Sequence, residues 1–200
     1  MTSWHPVTPE WVRAPAQLGD LHVLAFREYK DTGSAWHEAA GAAASWIRGG
    51  RSAPITFRED SPITLALAKA ELFAAVTVDS EGMPPPPLEE ICGRLGVAYR
   101  APVATNPVWA RGVEDVLRWL TADPIEQRKP PMDVPVRGAD GAVPTAEQLY
   151  QQRLAEVPGR YRAPEQRRDV RQAVEVDVIR SQRLADRIAE TLRSPRQRSA

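Results

Sequence analysis

The sequence has little of several residue types on which common functional sites depend. Its 200 residues include one cysteine and three histidines, and no apolar run approaches the roughly 20 residues that cross a bilayer. The lone Cys92 excludes an internal disulfide, and the histidines stand in no recognisable metal-ligand spacing. No basic segment followed by an apolar one opens the chain. We therefore expect a cytoplasmic protein with no membrane contact, no cofactor and no bound metal.

Charge is balanced overall but unevenly distributed. Basic and acidic residues each number 26, so no net field draws the whole chain toward nucleic acid or an anionic membrane. Residues 160–200 carry 11 basic and 6 acidic side chains, which leaves residues 1–159 acidic. Only three basic residues are lysines, and this excess of Arg, with abundant Ala and Pro, is typical of GC-rich bacterial or bacteriophage genes. Any affinity for nucleic acid should therefore belong to the C-terminal segment.

The distribution of aromatic residues and prolines predicts the organisation of the chain. All six tryptophans lie at or before Trp119, which indicates a helical body with a tryptophan-rich core over residues 1–120. Prolines recur through residues 121–148 at intervals that no helix or central strand tolerates, so we predict an extended proline-rich linker over 121–163. A long amphipathic helix over 164–193 and a disordered tail over 194–200 complete the prediction.

Helix starts in the body are marked by a capping residue followed by proline, in Thr8-Pro9, Ser61-Pro62 and Asn106-Pro107. A Ser, Thr or Asn oxygen accepts from a free N–H of the first turn, and proline at the first helical position loses no hydrogen bond. A further helix is predicted to begin near Leu88 and to end at Gly96. No stretch alternates apolar and polar residues with period two, so the predicted fold class is all-α.

The stretch "WHEAAGAAASWIRGG", residues 36–50, contains half of a zinc-binding motif. In HExxH two imidazoles one turn apart hold the metal, but the position four after His37 is Gly41. The second ligand is missing, so we interpret His37-Glu38 as the polar edge of a packing helix rather than a catalytic or metal site. Small residues give this helix a low surface that a second helix can approach closely; they are Ala39, Ala40, Gly41, Ala43 and Ala44.

Other candidate sites each have a simpler structural interpretation. Cys92 could be a nucleophile beside a histidine, but its helical position better suits a buried, unreactive thiol. The turn over residues 48–54, "RGGRSAP", could hold an anion but lacks a phosphate-loop spacing. Adjacent carboxylates point about 100° apart on a helix, so they do not converge on a substrate; these pairs are Glu59-Asp60, Glu89-Glu90 and Glu114-Asp115. No complete catalytic motif emerges, and we expect that the protein is not an enzyme.

The C-terminal helix carries an apolar stripe at alternating spacings of three and four, here called the seam. It consists of Val174, Val178, Ser181, Ala185, Ile188 and Leu192. The pattern resembles the a and d positions of a heptad repeat, and an isolated helix of this length is marginal in water. We predict that the seam docks on the same chain's body or on another chain, with Val174, Val178, Ala185, Ile188 and Leu192 as partner-binding residues.

The basic residues near Tyr161 suggest a different use of the C-terminal segment. They are Arg160, Arg162, Arg167, Arg168 and Arg171. Such a group could contact phosphates while the aromatic ring stacks on a base. Between residues 165 and 193, however, seven Arg are nearly balanced by six acidic residues. Spacings from Asp177 to Arg180 and from Glu190 to Arg193 suit ion pairs within the helix.

Three functional hypotheses follow from these features. The leading one is a cytosolic protein-interaction or assembly protein whose C-terminal helix docks on a partner or on a second copy. An alternative is a DNA- or RNA-associated accessory protein that uses the basic C-terminal segment. A third is a structural component of a bacteriophage or another large particle.

Overall fold

The regular structure of the chain is helical. A computed structural model describes residues 8–80, 84–103, 105–126, 128–138, 140–156 and 164–193. Within these residues there are seven α-helices and no strand, so the predicted all-α class is confirmed. The chain divides into two compact units, Met1–Asp133 and Val134–Ala200. None of the described helices is both long enough and apolar enough to span a membrane.

The first unit contains the helices α1 (Pro15–Thr32), α2 (Ala35–Ile47), α3 (Leu65–Asp79), α4 (Leu88–Leu95) and α5 (Pro107–Thr121). A short 3-10 turn follows at Pro124–Glu126. Helix α2 packs between α1 and α5, and α5 also contacts α3, which in turn contacts α4. The order of packing is therefore α1, α2, α5, α3, α4, with α2 and α5 at its centre.

Two local predictions for this unit are confirmed. Helix α5 begins at Pro107, and the Asn106 side-chain oxygen accepts a hydrogen bond of 2.8 Å from the Val108 N–H. Helix α4 begins at Leu88 and ends at Leu95, and the Gly96 that caps it has a φ of 67°, the left-handed conformation favoured by glycine. In both cases the signal lies within one turn of the helix end, so no distant contact was needed to interpret it.

Two predicted helix starts are wrong. Residues 9–12 form a turn, with the Val12 N–H donating to the Pro9 carbonyl, and α1 begins only at Pro15. A helix running on from Pro9 would place Pro15 in its interior, where the ring clashes with the preceding turn. Helix α3 begins at Leu65 rather than at Pro62, because Thr64 is the cap: its hydroxyl oxygen accepts from the Leu67 N–H at 3.2 Å.

Small residues bring α2 and α5 into close contact, as the alanine-rich stretch predicts. Five of these positions in α2 are buried: Ala39, Ala40, Gly41, Ala43 and Ala44. On α5 the facing residue is Gly112, and an added Cβ there would lie 2.5 Å from the Trp36 carbonyl oxygen and 2.9 Å from the Ala39 Cβ. The two backbones therefore approach more closely than any side chain on Gly112 would allow.

The core is aliphatic rather than rich in tryptophan. Among the described tryptophans only Trp46 is buried, and the other four are partly exposed. The indole N–H of Trp11 donates to the Ile63 carbonyl at 3.0 Å, and that of Trp36 donates to the Asp115 carboxylate at 2.9 Å. A large ring that carries a polar N–H is accommodated at the edge of a core, where the N–H finds an acceptor.

The second unit contains α6 (Ala146–Glu156) and α7 (Pro164–Arg193). The range 121–163, expected to be an extended linker, thus includes the three-turn α6. Thr145 and Gln148 form a reciprocal cap at its start: the Gln148 side-chain oxygen accepts from the Thr145 N–H at 2.9 Å, and the Thr145 hydroxyl accepts from the Gln148 N–H at 3.3 Å. The closely spaced prolines of residues 124–144 end just before this cap. The tail predicted over 194–200 lies outside the described residues.

We predict that Gly112→Ala destabilises the protein although alanine favours helix. The added Cβ must separate α2 from α5, and we expect a loss of about 2 kcal/mol in the free energy of unfolding. Gly93→Ala in α4 is the matched control, since nothing lies within 4 Å of its added Cβ. That change should stabilise by about 0.5 to 1 kcal/mol. Urea unfolding of both variants tests the pair, and equal effects would contradict the close contact.

Candidate functional site

The C-terminal unit is held together by a small apolar cluster between α6 and α7. Leu149 and Tyr150 of α6 and Val174 of α7 are buried together. Partly buried residues complete the cluster: Val136, Ala146, Leu154, Val170 and Val178. An ion pair between Arg153 and Asp177 links the same two helices. The unit therefore has its own core, which positions one side of α7 against α6.

The structure places the seam residues in different environments. Val174 is fully buried and Val178 is partly buried, both in the cluster shared with α6. The Ser181 hydroxyl accepts a hydrogen bond of 3.1 Å from the Val136 N–H. Leu192, at the end of the seam, is 70% exposed. The same chain therefore covers the first part of the seam, and Val174 has no surface left for a partner.

The remaining seam residues are covered to different degrees. Ile188 is buried, and Ala185 is partly exposed. Leu192 is thus the most accessible of the five residues predicted to bind a partner.

The basic residues proposed for nucleic acid are also divided. Arg160 and Arg162 lie outside the described residues. Arg167 and Arg168 are exposed on the first turns of α7. The Arg171 guanidinium lies 4.9 Å from the centre of the Tyr150 ring and 3.6 Å from the Glu147 carboxylate. Arg171 therefore contributes to the contact between α6 and α7, and its charge is partly compensated there.

A second apolar feature of α7 was missed in the sequence. Val176 and Ile179 are 60% and 54% exposed and lie on the side of the helix opposite Val174. We call this side the outer face; it comprises Gln172, Val176, Ile179 and Arg183, flanked by Arg168, Asp169, Asp186 and Arg187. The sequence did contain a signal for this face, because two β-branched residues lie three positions apart on α7. They lie outside the heptad pattern, so the seam alone did not identify them.

A buried carboxylate organises the loop between α2 and α3. Glu71 of α3 has no exposed surface. One of its oxygens accepts from the backbone N–H groups of Ile55 and Thr56, the latter at 3.0 Å, and the other accepts from the Thr56 hydroxyl at 2.6 Å. The turn over residues 48–54 was considered as an anion site. The successive N–H groups of Ile55 and Thr56, just beyond this turn, hold the carboxylate of Glu71. The network therefore fixes the loop to α3.

Arg58 extends this network and is only 2% exposed. Its Nε donates to the Thr56 hydroxyl oxygen at 3.2 Å, and one of its terminal nitrogens donates to the Ala98 carbonyl at 2.9 Å. Burial raises the pKa of Glu71, and the hydrogen bonds from residues 55 and 56, with the charge of Arg58, oppose this shift only in part. Removal from water is thus the dominant influence on this carboxylate.

Cys92 lies close enough to this network for its charges to act on the thiol. Burial raises the pKa of Cys92, the nearby Arg58 lowers it, and Glu71 raises it further. The thiol is therefore held protonated near neutral pH, which is the state of an unreactive buried cysteine.

The two histidines that the structure describes, His22 of α1 and His37 of α2, lie on different helices. His37 lies in α2, and its ring packs edge-on against Trp36 with the ring centres 5.2 Å apart. The His22 Nδ1 accepts a hydrogen bond of 2.8 Å from Arg48, and burial followed by the charge of Arg48 lowers the pKa of His22. Within the described ranges no three side chains of His, Cys, Asp or Glu are grouped to hold a metal ion.

Several of the adjacent carboxylates form ion pairs or hydrogen bonds. Glu114 pairs with Arg118 one turn later, and Asp115 accepts from the Trp36 indole. Glu90 lies 3.9 Å from Arg94 in the same way. These acids therefore contribute to helix surfaces and helix contacts, as side chains that point in different directions can.

No protein-family model, no curated protein and no solved structure matches this chain. Its function is therefore inferred from the geometry of its own residues.

We predict that Glu71→Ala destabilises the protein by about 3 kcal/mol or more, because it leaves two buried backbone N–H groups and the Thr56 hydroxyl without their acceptor and removes the carboxylate near the buried Arg58. The matched control is Glu59→Ala in the same loop, whose side chain is 59% exposed; this change should alter stability by less than about 0.5 kcal/mol. Urea unfolding followed by tryptophan fluorescence measures both. Similar effects of the two changes would show that the buried network does not hold the loop.

The raised pKa of Glu71 also predicts a dependence of stability on pH. The folded chain retains this proton to a higher pH than the unfolded chain does. The contribution of Glu71 to stability should therefore fall as pH rises from the ordinary value of 4.5 through the raised pKa. We expect the unfolding free energy of the wild type to fall relative to that of Glu71→Gln over this range. Urea titrations of both proteins at a series of pH values test the slope, and parallel curves would contradict it.

Proposed function

We propose that this chain is a non-enzymatic interaction or assembly protein whose C-terminal unit docks on another protein chain through α7. The observation that supports the proposal is the exposure of Val176 and Ile179 on the outer face, on the side opposite the cluster shared with α6. Helix α7 thus has apolar residues on two sides, and its own unit covers one of them. A helix of this kind is typical of an element that packs between two surfaces.

Helix propensity supports the same proposal. β-branched residues lose side-chain freedom in a helix, so an exposed Val or Ile is slightly less favourable there than Ala, Lys or Glu. Val176 and Ile179 therefore bring no local advantage to α7. Burial against a partner would recover roughly 1.5 to 3 kcal/mol for each fully covered side chain.

A second candidate function is contact with DNA or RNA. Arg167 and Arg168 are adjacent and exposed at the start of α7, which favours a phosphate contact in this region. Such binding would weaken steeply as salt is raised, because counterions compete for the phosphates.

Affinity capture from native lysate with and without nuclease tests the two candidates. Two baits are compared, the full wild-type chain and the double variant Val176→Gln with Ile179→Gln. The double variant removes the apolar side chains of the outer face without weakening helix propensity. Ala173→Gln is the matched control, since it is exposed on the same helix but outside the outer face. Leu192→Gln separately tests the exposed end of the seam.

We expect protein partners that survive nuclease, remain with Ala173→Gln and are lost with the double variant. Equal capture by the wild type and the double variant would overturn docking through the outer face. Recovery of nucleic acid that is released by salt, and lost with Arg167→Ala and Arg168→Ala, would instead favour the second candidate.

A further inference from the structure

The charges on the outer face of α7 form a self-complementary pattern. Arg168 and Asp186 lie along one edge of the face, and Asp169 and Arg187 lie along the other edge. On each edge an acidic residue at one end is matched by a basic residue at the other. Val176 and Ile179 lie midway between the two ends. A face of this kind is complementary to a copy of itself turned end for end.

We propose that the outer faces of two α7 helices pair antiparallel, so that the protein forms a homodimer whose two-fold axis crosses the outer face at a height between residues 177 and 178. The inference rests on the proposed function and names the partner as a second copy of the chain. A two-fold contact between identical surfaces is the commonest way in which homo-oligomers form. The positions of the charges on the outer face favour a second copy as this partner.

The register follows from the position of each residue relative to the axis. In an antiparallel pair, residues at equal distances before and after the axis face each other. Val176 then faces Ile179 of the second copy, and Gln172 faces Arg183, where the guanidinium can donate to the amide oxygen. The aliphatic side chains of the two copies meet at the centre of the contact and are removed from water together.

Each edge of the contact then carries opposite charges whose heights differ by one residue, about 1.5 Å along the helix. The two-fold rotation reverses the direction of the helix but keeps each edge of the face on its own side of the contact. Arg168 therefore meets Asp186 of the second copy along one edge. Asp169 meets Arg187 along the other, and the symmetry repeats each contact. Arg168, Asp169 and Asp186 are exposed, so their side chains are accessible for pairing across the contact. Opposite charges across an interface fix its register and direction.

Two like-charged pairs at equal distances from the axis, Arg168 with Arg187 and Asp169 with Asp186, lie on opposite edges of the contact. A third pair faces directly and opposes the association. Glu165 and Glu190 of the second copy lie at the same height at each end of the contact. Both are exposed at the ends of the interface, where the carboxylates remain in water and their repulsion is screened. The central apolar contacts and the edge pairs therefore decide the register.

Charge exchange between two variants provides the test. Arg168→Asp places like charges on one edge, and so does Asp186→Arg, so each variant alone should dimerise about ten-fold or more weakly than the wild type. When the two variants are mixed, every reversed side chain meets its complement, and a heterodimer should form with near wild-type affinity. Arg100→Asp, an exposed change in the first unit, controls for net charge. Sedimentation equilibrium of the full chain measures each constant.

We expect mixing of the two variants to restore dimerisation. We also expect the wild-type dimer to weaken at about 1 M salt, where the Debye length is about 3 Å. A wild-type chain that stays monomeric at low salt would overturn the homodimer. A dimer that both charge variants leave unchanged would also overturn it. The proposed function has a separate readout: a monomeric chain whose lysate partners still depend on Val176 and Ile179 would retain that function with a different partner.

Discussion

The close approach of α2 and α5 is the constraint on which the first unit depends. These helices occupy the centre of the packing order, with α1 on the far side of α2 and α3 on the far side of α5. Their contact is possible because Gly112 meets the backbone at Trp36 and the methyl group of Ala39 without a side chain of its own. A close-packed interior has almost no space to absorb an added methyl group. The positions of α1, α3 and α4 therefore follow from small residues on two helices rather than from large aromatic anchors.

Several features decided within one helical turn were predicted from the sequence, although the caps at Thr64 and Thr145 were missed, and features decided by distant contacts could not be predicted. The cap at Asn106, the glycine that ends α4 and the low alanine surface of α2 are local signals, and the structure contains each of them. Glu71 looked like any acidic residue of a helix, because nothing near it in the sequence shows that the groups that donate to it lie on a loop at residues 55 and 56. The prediction of a tryptophan-rich core failed for a related reason. The number of tryptophans indicated a core, but the acceptors of their indole N–H groups hold these rings at its edge.

The C-terminal unit shows how periodicity can identify a helix face without identifying its role. The heptad-like seam was recognised correctly as an apolar stripe of α7, but α6 supplies the surface for its first part. That helix was missed because prolines dominate the preceding stretch, although Thr145 and Gln148 provide a local cap. The exposed apolar residues Val176 and Ile179 lie outside the dominant pattern. A candidate docking face therefore emerges only after the internal partner of the helix is known.

The division of aromatic residues between the two units has a spectroscopic consequence. Every tryptophan lies in the first unit, whereas the C-terminal cluster contains Tyr150 beneath the Arg171 guanidinium. Indole emission excited at the red edge of its absorption band therefore reports on the first unit alone. The emission of a tryptophan introduced in place of Tyr150 would overlap with that of the existing indoles. The magnetic resonance signal of a labelled Tyr150 would not overlap with them. The natural distribution of chromophores thus separates the two units without a covalent probe.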